Sequence, residues 1–282
     1  MINICYESTS KCLLSCPYCI SSDNGNLIKD NYEKIIKFIG KVHPNRIVIG
    51  GGEPFLDPLL KEKIKMIKEE YKNYSIEPYI SISTSGACNI DYDTWLFLTE
   101  NIQCFDISIP SLNNDTYKFM RGKDLLKQAI INTKLAVSYG LNVRISTVVT
   151  KYNKNELKDI LTFAKKENVN SVRVGRYFPF RNAYYIKDDF ELEEKETLKI
   201  INDIKNGIYD NIYDKKIIPP IENLNMMDAY LNIDFNGNIF IATTKGKKII
   251  GNINDVDINS LNNELNQKQE KIFKKAKEII IK

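Results

Sequence analysis

Three cysteines, Cys12, Cys16 and Cys19, stand within eight consecutive residues near the start of the chain. Thiolates at such short spacing are typical ligands of zinc and of iron–sulfur clusters. A structural zinc site takes four protein ligands, so zinc would need one more donor. The candidates for that donor are His43, Cys88 and Cys104. A four-iron cluster on three thiolates would instead leave one iron open to a small molecule.

A run of glycines follows the second apolar stretch of the chain, in the sequence RIVIGGGEPFLDP. Glycine lets a backbone approach a ligand closely and adopt dihedral angles that other residues avoid. Glu53, directly after the glycines, carries a carboxylate that can accept hydrogen bonds from a cationic amine. A glycine run after a strand is often only a turn. Its position one strand and one helix after the cysteines favours a joint site.

Short apolar runs alternate with amphipathic stretches up to about residue 206, and this pattern predicts an α/β fold with parallel strands. The predicted strands are residues 2–6, 46–50, 79–84, 104–110, 142–149 and 171–177. Apolar residues at helical spacing predict helices between them. Asn153 followed by Glu156 predicts a capping box, and Gly140 predicts the C-terminal cap of a helix.

Several predicted strands alternate between apolar and polar residues, so each has one apolar and one polar side. The polar sides include Ser83, Ser108, Arg144 and Ser146. If the apolar sides pack under the helices, the polar sides line a shared interior. A closed eight-stranded barrel is filled with branched apolar side chains, whereas serines and arginines predict a wet lumen that holds a ligand. We therefore expect an open or partial barrel. An open sheet with one solvated face is the alternative.

The pattern changes after residue 206, which predicts a domain of residues 1–206 and a C-terminal region of residues 207–282. Residues 208–227 are interpreted as a connector. Two alternating runs on either side of Asn236 and Gly237 predict a β-hairpin with a two-residue turn. Residues 265–282 predict a basic amphipathic helix. Such a helix binds a membrane, a partner or the body of its own protein, and we expect the last of these.

The spacing Cys-x3-Cys-x2-Cys and the Gly-Gly-Glu-Pro segment resemble motifs of the radical SAM superfamily. The resemblance implies a partial (β/α)6 barrel of TIM type, followed by a small C-terminal β-hairpin and helix. It also implies a [4Fe–4S] cluster on the three cysteines, with S-adenosylmethionine bound at the open iron. Tyr18 matches the aromatic residue of the cysteine loop. The residues that would hold the methionyl amino group are Gly51, Gly52, Glu53 and Pro54.

The resemblance extends to residues on the later strands. Ser83 and Ser85 belong to a segment that ends the third strand, and Ser108 matches a position near the ribose or carboxylate of the cofactor. Arg121 resembles the arginine that pairs with the methionyl carboxylate. The fifth and sixth strands would place three more residues beside the cofactor, namely Arg144, Ser146 and Tyr177.

Cys88 follows the third strand, at the end of the barrel where active sites collect. It is a candidate hydrogen-atom donor to a substrate radical, with a small core residue as the alternative. Arg144, Arg173 and Arg176 are candidates for binding acid groups of a substrate.

The C-terminal hairpin segment is similar to the SPASM or twitch domain found in many relatives that modify peptides. No cysteine follows Cys104, so we expect one cluster and a twitch-like region without an auxiliary cluster. We also expect no separate leader-peptide domain ahead of the barrel.

The resemblance implies an enzyme that cleaves S-adenosylmethionine reductively to a 5′-deoxyadenosyl radical, which takes hydrogen from a substrate. A ribosomally made peptide is the predicted substrate, through epimerisation or cross-linking. A nucleotide or small metabolite, as in viperin-like enzymes, is the alternative. A non-catalytic iron–sulfur or zinc module is the alternative of another class.

The composition limits the partners. Forty basic and thirty-six acidic side chains leave a net charge of +4, which is too weak and diffuse to predict nucleic-acid binding. The absence of a long apolar run predicts no membrane partner, and the cysteine content suits a reducing, cytoplasmic setting. The family resemblance implies a reductant of flavodoxin or ferredoxin type.

Overall fold

The computed structural model describes residues 3–21, 32–72, 74, 77–180, 182–220, 230–243 and 246–257. These residues form an α/β fold built on one mostly parallel sheet, as predicted. The strands are β1 (Asn3–Thr9), β2 (Arg46–Gly51), β3 (Tyr79–Thr84), β4 (Cys104–Ser108), β5 (Val143–Val149), β6 (Ser171–Arg176), β7 (Lys216–Ile218), β8 (Leu231–Ile233), β9 (Asn238–Thr243) and β10 (Gly246–Asn252).

Helices connect consecutive parallel strands, as a chain that crosses from one parallel strand to the next requires. They are α1 (Tyr32–Val42), α2 (Leu60–Tyr71), α3 (Tyr92–Asn101), α4 (Asn114–Arg121), α5 (Leu126–Ser138), α6 (Leu157–Lys166), α7 (Asn182–Tyr185), α8 (Lys187–Phe190) and α9 (Glu194–Lys205). A short 3₁₀ helix, Pro54–Leu56, follows β2.

The strand order across the sheet is β10-β9-β8-β1-β2-β3-β4-β5-β6-β7. The pairs from β8 to β7 are parallel, and β9 and β10 add antiparallel strands at one edge. The six predicted strands are confirmed, although β1 continues to Thr9. β7 lies in the segment interpreted as a connector and extends the sheet beyond β6. The proposed division after residue 206 stays a prediction.

The apolar sides of the strands pack under the helices. Fully buried residues on this side include Ile4, Ile49, Ile82, Ile107 and Ile145. Helix α1 covers them with Ile35, Ile36, Ile39 and Val42, and α6 does so with Leu157, Ile160, Leu161 and Ala164. Each such side chain contributes about 1.5–3 kcal/mol of transfer free energy. The polar side of each strand is left to face the interior.

The sheet curls around that interior. Cys5 on β1 and Arg173 on β6 are five strands apart, which in a flat sheet is about 24 Å at about 4.8 Å per strand. Burial raises the pKa of the Cys5 thiol to about 12, with Glu7 adding to the shift, while Lys247 and Arg173 act to lower it. The charge of Arg173 therefore reaches across the lumen to Cys5. This supports the partial barrel over the flat, solvated sheet.

The predicted hairpin is confirmed, but its turn is longer than expected. β8 and β9 pair in antiparallel fashion and are joined by residues 234–237. The Asp234 carboxylate accepts hydrogen bonds from the backbone N–H groups of Asn236 and Asn238, both at 2.9 Å. Gly237 has a φ of +78°, the left-handed conformation that favours glycine. The turn is therefore organised by Asp234 as well as by the Asn-Gly pair.

One predicted helix cap is confirmed and the other is wrong. Gly140 has a φ of +79° just beyond α5, and Leu141 N donates to Ala136 O at 3.0 Å. Asn153 does not cap α6, because its Oδ1 accepts from Thr150 N at 2.7 Å and its amide N–H group donates to Pro110 O at 2.6 Å. Glu156 turns its carboxylate to the hydroxyl groups of Ser111 and Thr116 instead. These contacts tie the start of α6 to the loop after β4 and to α4, which local spacing does not reveal.

The predicted C-terminal helix of residues 265–282 lies outside the described residues. Among the described helices, none has both the length and the apolar composition needed to cross a bilayer.

Candidate active site at the mouth of the barrel

The predicted cluster ligands lie on a loop at the carboxyl end of β1, and residues 10–19 are here called the cysteine loop. Cys12 is exposed, whereas Cys16 and Cys19 are half-buried. Cys19 N donates to Cys16 O at 3.2 Å, and Leu14 N approaches the Cys12 sulfur at 3.4 Å. Burial raises the pKa of Cys12, and the neighbouring Cys16 and Cys19 thiols add to the shift. The three sulfurs therefore lie close enough to influence one another.

The glycine segment after β2 holds the start of the cysteine loop. Gly52 N donates to Thr9 O and Glu53 N donates to Lys11 O, both at 2.7 Å. A Cβ atom on Gly52 would lie 2.1 Å from Lys11 O. Gly51 has a φ of +113°, and its Cβ would lie 2.5 Å from Thr9 O. The glycines are therefore required by the close approach of the cysteine loop itself.

The Glu53 side chain ties the end of β2 to the end of β3. It is fully buried, and its carboxylate accepts hydrogen bonds from Thr84 Oγ1 at 2.6 Å and Ser85 N at 2.9 Å. Ser85 Oγ also donates to it. Pro54 follows as the first residue of the 3₁₀ helix. A methionyl amine at this carboxylate would thus join an existing set of donors, and that contact stays a prediction.

Arg121, the last residue of α4, reaches back to the cysteine loop. Its Nη2 donates to Ser108 O and Ser108 Oγ, both at 2.6 Å, and its Nη1 lies 3.6 Å from Cys16 Sγ. Burial opposes its charge, but Tyr18 and Cys16 outweigh that effect and raise the pKa of Arg121. Its Nε is buried and has no hydrogen-bond partner in the described part of the chain. The guanidinium therefore keeps a donor for a further acceptor.

The donor set fits the implied cluster. Within the described ranges, no three His, Cys, Asp or Glu side chains are placed to share a single metal ion. A [4Fe–4S] cluster makes a different demand, because each thiolate binds its own iron. Three thiols on one loop, with Cys12 open to solvent and a buried donor on Arg121, suit a cluster with one iron left for an anionic ligand.

Tyr18 and Tyr177 lie together in an aromatic group beside the cysteine loop. The rings of Tyr18 and Tyr177 are 6.2 Å apart, and Phe190 contacts both at 5.7 and 5.8 Å. Tyr177 OH donates to Ala183 O at 2.6 Å. Burial raises the pKa of Tyr18 to about 12, with Arg121 acting to lower it. Tyr177 thus packs against the loop, and its contact with the cofactor stays a prediction.

Cys88 is buried at the mouth. Asn132 on α5 donates to both Gly86 O and Cys88 O, at 2.8 and 2.7 Å. Burial raises the pKa of the Cys88 thiol to about 12, and Glu53 and Cys12 add to the shift. Cys88 therefore keeps its S–H bond at neutral pH, which a hydrogen-atom donor needs. A donor role stays a prediction.

Inside the barrel, four side chains form what is here called the lumen cluster: Asp106, Arg144, Ser146 and Arg173. Arg144 Nη2 donates to Asp106 at 2.7 Å, and Arg173 Nη2 lies 3.2 Å from the same oxygen. Ser146 Oγ donates to Asp106 and accepts from Arg173 Nε at 3.0 Å. Burial alone would raise the pKa of Asp106, but Arg173 and Arg144 outweigh it and lower that pKa. Two of the predicted cofactor contacts, Arg144 and Ser146, thus have a lumen carboxylate as partner.

Other lumen groups extend this polar surface. Ser83 lies opposite Asp106 in the β3–β4 register. Lys247 on β10 forms an ion pair with Glu7 on β1, and both side chains are nearly buried. Ser81 Oγ and Arg144 Nε are buried and have no hydrogen-bond partner among the described residues. Buried polar atoms are normally satisfied, so these two suit a polar ligand or water.

Several residues of the site carried no sequence signal. Thr84 belongs to the apolar side of β3 by alternation, yet its hydroxyl holds Glu53. Asp106 lies on the polar side of β4 by alternation, and its spacing does not mark it as the shared partner of two arginines. Asn132 lies on the apolar face of a helix. Lys63 is fully buried on α2, where its Nζ donates to Ser8 O at 3.1 Å and Asp57 at 3.0 Å. Buried hydrogen-bond partners far apart in sequence leave no periodic pattern.

The sequence model of the Radical SAM superfamily matches residues 6–164, which is more than half of the chain. The chain is 30% identical over 214 residues to "GTP 3',8-cyclase" of Petrotoga mobilis, an alignment that covers 72% of this chain and 64% of that protein. It is 28% identical over 165 residues to "Probable GTP 3',8-cyclase" of Methanothermobacter thermautotrophicus, covering 56% of this chain and 52% of that protein. The chain thus spans less than two thirds of these curated relatives.

Two solved structures share the fold. Streptococcus suis SuiB bound to S-adenosylmethionine aligns with a TM-score of 0.72 at 16% identity, covering 92% of this chain and 65% of that one. Native anSMEcpe with bound AdoMet and Kp18Cys peptide aligns with a TM-score of 0.72 at 18% identity, covering 95% of this chain and 83% of that one. The chain belongs to the radical SAM superfamily of enzymes, which use a [4Fe–4S] cluster and S-adenosylmethionine.

Proposed function

We propose that this enzyme takes hydrogen from a substrate that carries an anionic group and is held in the polar lumen. The cluster, bound by Cys12, Cys16 and Cys19, supplies the electron that cleaves S-adenosylmethionine to methionine and a 5′-deoxyadenosyl radical. The observation that carries the proposal is the position of Arg121, which contacts Cys16 at the mouth and is anchored on Ser108, two residues along β4 from Asp106 of the lumen cluster.

The residues at the mouth position the cofactor. Gly51 and Gly52 hold the cysteine loop in place, and Glu53 offers a carboxylate fixed by Thr84 and Ser85 to the methionyl amine. Arg121, anchored on Ser108, offers its remaining donor to the methionyl carboxylate. Opposite charges at the two ends of one amino acid give an orientation as well as affinity.

The lumen would bind the substrate. The lumen cluster holds two arginines and one aspartate, and the Lys247–Glu7 pair beside it is neutral, so the surface is positive overall. Arginine presents a planar fork of donors that matches carboxylate and phosphate groups. Arg173 keeps a third of its side-chain surface exposed, which leaves it accessible to such a group.

A nucleotide is the first candidate substrate. It has phosphates for the lumen arginines and hydroxyl groups for Ser83 and Ser81. The sequence relatives bear the name GTP 3',8-cyclase, at up to 30% identity. These relatives are longer than the match, so a shared substrate is a proposal.

A peptide is the second candidate. The neighbours SuiB and anSMEcpe cover 92% and 95% of this chain, and a structure of the latter contains a bound peptide. A peptide with an acidic side chain or a carboxyl terminus would meet the same arginines. If the substrate is a peptide, β8, β9 and β10 would act as a twitch-like region that has no auxiliary cluster.

The proposal is tested on the anaerobically reconstituted protein with dithionite and S-adenosylmethionine. We expect 5′-deoxyadenosine to form, and Cys19→Ala to abolish it. The matched control is Cys104→Ala, which removes a buried thiol outside the cysteine loop. Formation that survives Cys19→Ala would overturn the cluster assignment. GTP and peptide libraries are then compared as additions, because the true substrate increases 5′-deoxyadenosine formation and is itself converted.

A further inference from the structure

A buried ion pair lies next to Ser8, just before the cysteine loop begins. Lys63 on α2 is fully buried, and its Nζ donates to Asp57 Oδ2 at 3.0 Å. The side chains of the pair are only 1% and 3% exposed. The Nζ also lies 5.8 Å from the ring centre of Tyr6, within the range of a cation–π contact. The charge of this lysine is therefore held at one place inside the protein.

A buried ion pair is weak evidence for a role in stability. Taking two charges out of water is costly, and apolar residues of similar volume often replace such a pair without loss of stability. The best-attested use of a buried pair is to fix the register of the segments that it joins. The segments that Lys63 connects therefore indicate its role.

The first of these segments is the start of the cysteine loop. Lys63 Nζ donates to Ser8 O at 3.1 Å, and Ser8 is buried at the carboxyl end of β1. The next residue, Thr9, accepts a hydrogen bond from Gly52 N at 2.7 Å through its carbonyl oxygen. Cys12 follows three residues later. Lys63 thus holds the point from which the loop starts.

The second segment carries Glu53. Asp57 N donates to Pro54 O at 3.0 Å, so Asp57 closes the 3₁₀ helix that begins directly after Glu53. The carboxylate of Asp57 is held by Lys63 on one oxygen. One ammonium group therefore joins the start of the cysteine loop to the segment of Glu53.

We propose that Lys63 is a positioning residue, which sets the distance between the cysteine loop and Glu53 and so aligns S-adenosylmethionine on the open iron. This inference rests on the proposed function, in which the loop holds the cluster and Glu53 holds the methionyl amine. Because one amino acid must reach both groups, a shift of either segment misplaces it. Lys63 acts through Ser8 and Asp57.

The test compares three variants of the full chain. Lys63→Met removes the charge and keeps a side chain of similar length. The double variant Lys63→Met with Asp57→Asn removes both charges and keeps the Oδ1 acceptor for Leu59 N. The matched control is Ile67→Ala, one turn further along α2, which removes a fully buried side chain but no hydrogen bond to Ser8 or Asp57.

Hydrogen exchange of the metal-free protein is the first measurement. The amides of Gly52 and Glu53 donate to the loop backbone, whereas Phe105 N donates to the backbone ahead of β5 and reports opening of the core. We expect both lysine variants to speed exchange at Gly52 and Glu53 about tenfold or more relative to Phe105, the factor that one lost hydrogen bond to a charged group corresponds to. In the control all three amides should change alike.

Binding of S-adenosylmethionine by the cluster-loaded fraction is the second measurement, followed by the electron paramagnetic resonance spectrum of the reduced cluster. We expect the two lysine variants to need about tenfold more S-adenosylmethionine for the spectral change seen in the wild type. The control should bind it with the affinity of the wild type.

Equal acceleration of all three amides in the lysine variants would overturn the proposal, since Lys63 would then serve stability alone. An affinity for S-adenosylmethionine equal to that of the wild type would overturn it as well. Failure of the proposed function appears elsewhere, as absence of 5′-deoxyadenosine in the wild type with dithionite, while exchange at Gly52 and Glu53 still decides whether Lys63 positions the loop.

Discussion

The mouth of the barrel and its lumen are built in different ways. At the mouth, backbone hydrogen bonds join Gly52 and Glu53 to Thr9 and Lys11, and the glycines allow contacts that no side chain would permit. In the lumen, position depends on charged side chains around Asp106. Backbone contacts tolerate few residue types, whereas a charge network can be rebuilt with other residues.

This difference matches the roles proposed for the two regions, which are cofactor binding at the mouth and substrate binding in the lumen. The mouth would hold a cofactor that all members of the superfamily share, so its geometry suits a fixed backbone frame. The lumen would hold the substrate, which differs between members, and side chains are the part of a protein that changes most easily. The comparison therefore predicts that mouth variants lose the cofactor and lumen variants lose stability or substrate.

The largest effect is expected in the lumen. Asp106→Ala leaves Arg144 and Arg173 without their shared carboxylate, and removal of one partner from a buried ion pair costs about 3–5 kcal/mol. Arg173 is a third exposed, so we expect the lower end of that range for the free energy of unfolding. Urea titration measures it.

The control for this prediction is Asp189→Ala, an exposed site on α8 where about 0.5 kcal/mol or less is expected. Equal losses at the two positions would show that the lumen cluster is not a structural unit.

The next largest effect is expected at the mouth. Gly52→Ala places a methyl group 2.1 Å from Lys11 O, and such overpacking costs about 1–3 kcal/mol. Because the contact lies on the cysteine loop, iron bound after reconstitution should also fall.

Gly140→Ala provides the comparison. Its Cβ would meet no atom of the described residues within 4 Å, and only the φ of +79° carries a penalty, of about 1–2 kcal/mol. We expect that variant to lose some stability and keep its iron. Equal iron contents in both variants would contradict the role assigned to Gly52.

A third prediction compares an arginine from each region. Arg121→Lys should weaken binding of S-adenosylmethionine about tenfold, because a hydrogen bond to a charged group contributes about 1.5–3 kcal/mol and lysine cannot reproduce the fork. Arg144→Lys should leave that affinity unchanged, since Asp106 holds its side chain. Calorimetric titration of both variants decides the point. The reverse result would move the cofactor contact into the lumen.

The smallest effect concerns pH. The pKa of Asp106 is lowered in the folded protein, below the value of about 3.9 expected when the chain is unfolded. The ionised carboxylate therefore adds stability above about pH 3.9, which is lost as the pH falls through the folded-state pKa. The stability difference between the wild type and Asp106→Asn should be larger at pH 6 than at pH 3. A difference that grows toward acid would show that the pKa is raised instead.

Much of the fold could be predicted from local patterns. The six strands, the polar lumen and the cap at Gly140 follow from periodicity and glycine conformation, because these depend on residues close together in the chain. The predicted capping box at Asn153 was wrong because the Asn153 side chain hydrogen-bonds to Pro110, which is distant in the sequence. The predicted two-residue turn was wrong because the Asp234 carboxylate organises a longer turn.

The sequence by itself determined the chemistry of the mouth, since three cysteines and a glycine segment are recognised by residue type and spacing. Only the tertiary structure decided which groups surround them. It brought Arg173 to Asp106, two strands away in the sheet, Thr84 to Glu53 at the end of the neighbouring strand, and Lys247 to Glu7, although these partners lie far apart in the chain. Side-by-side packing of strands creates such contacts, and contacts between distant residues leave no periodic trace in the sequence.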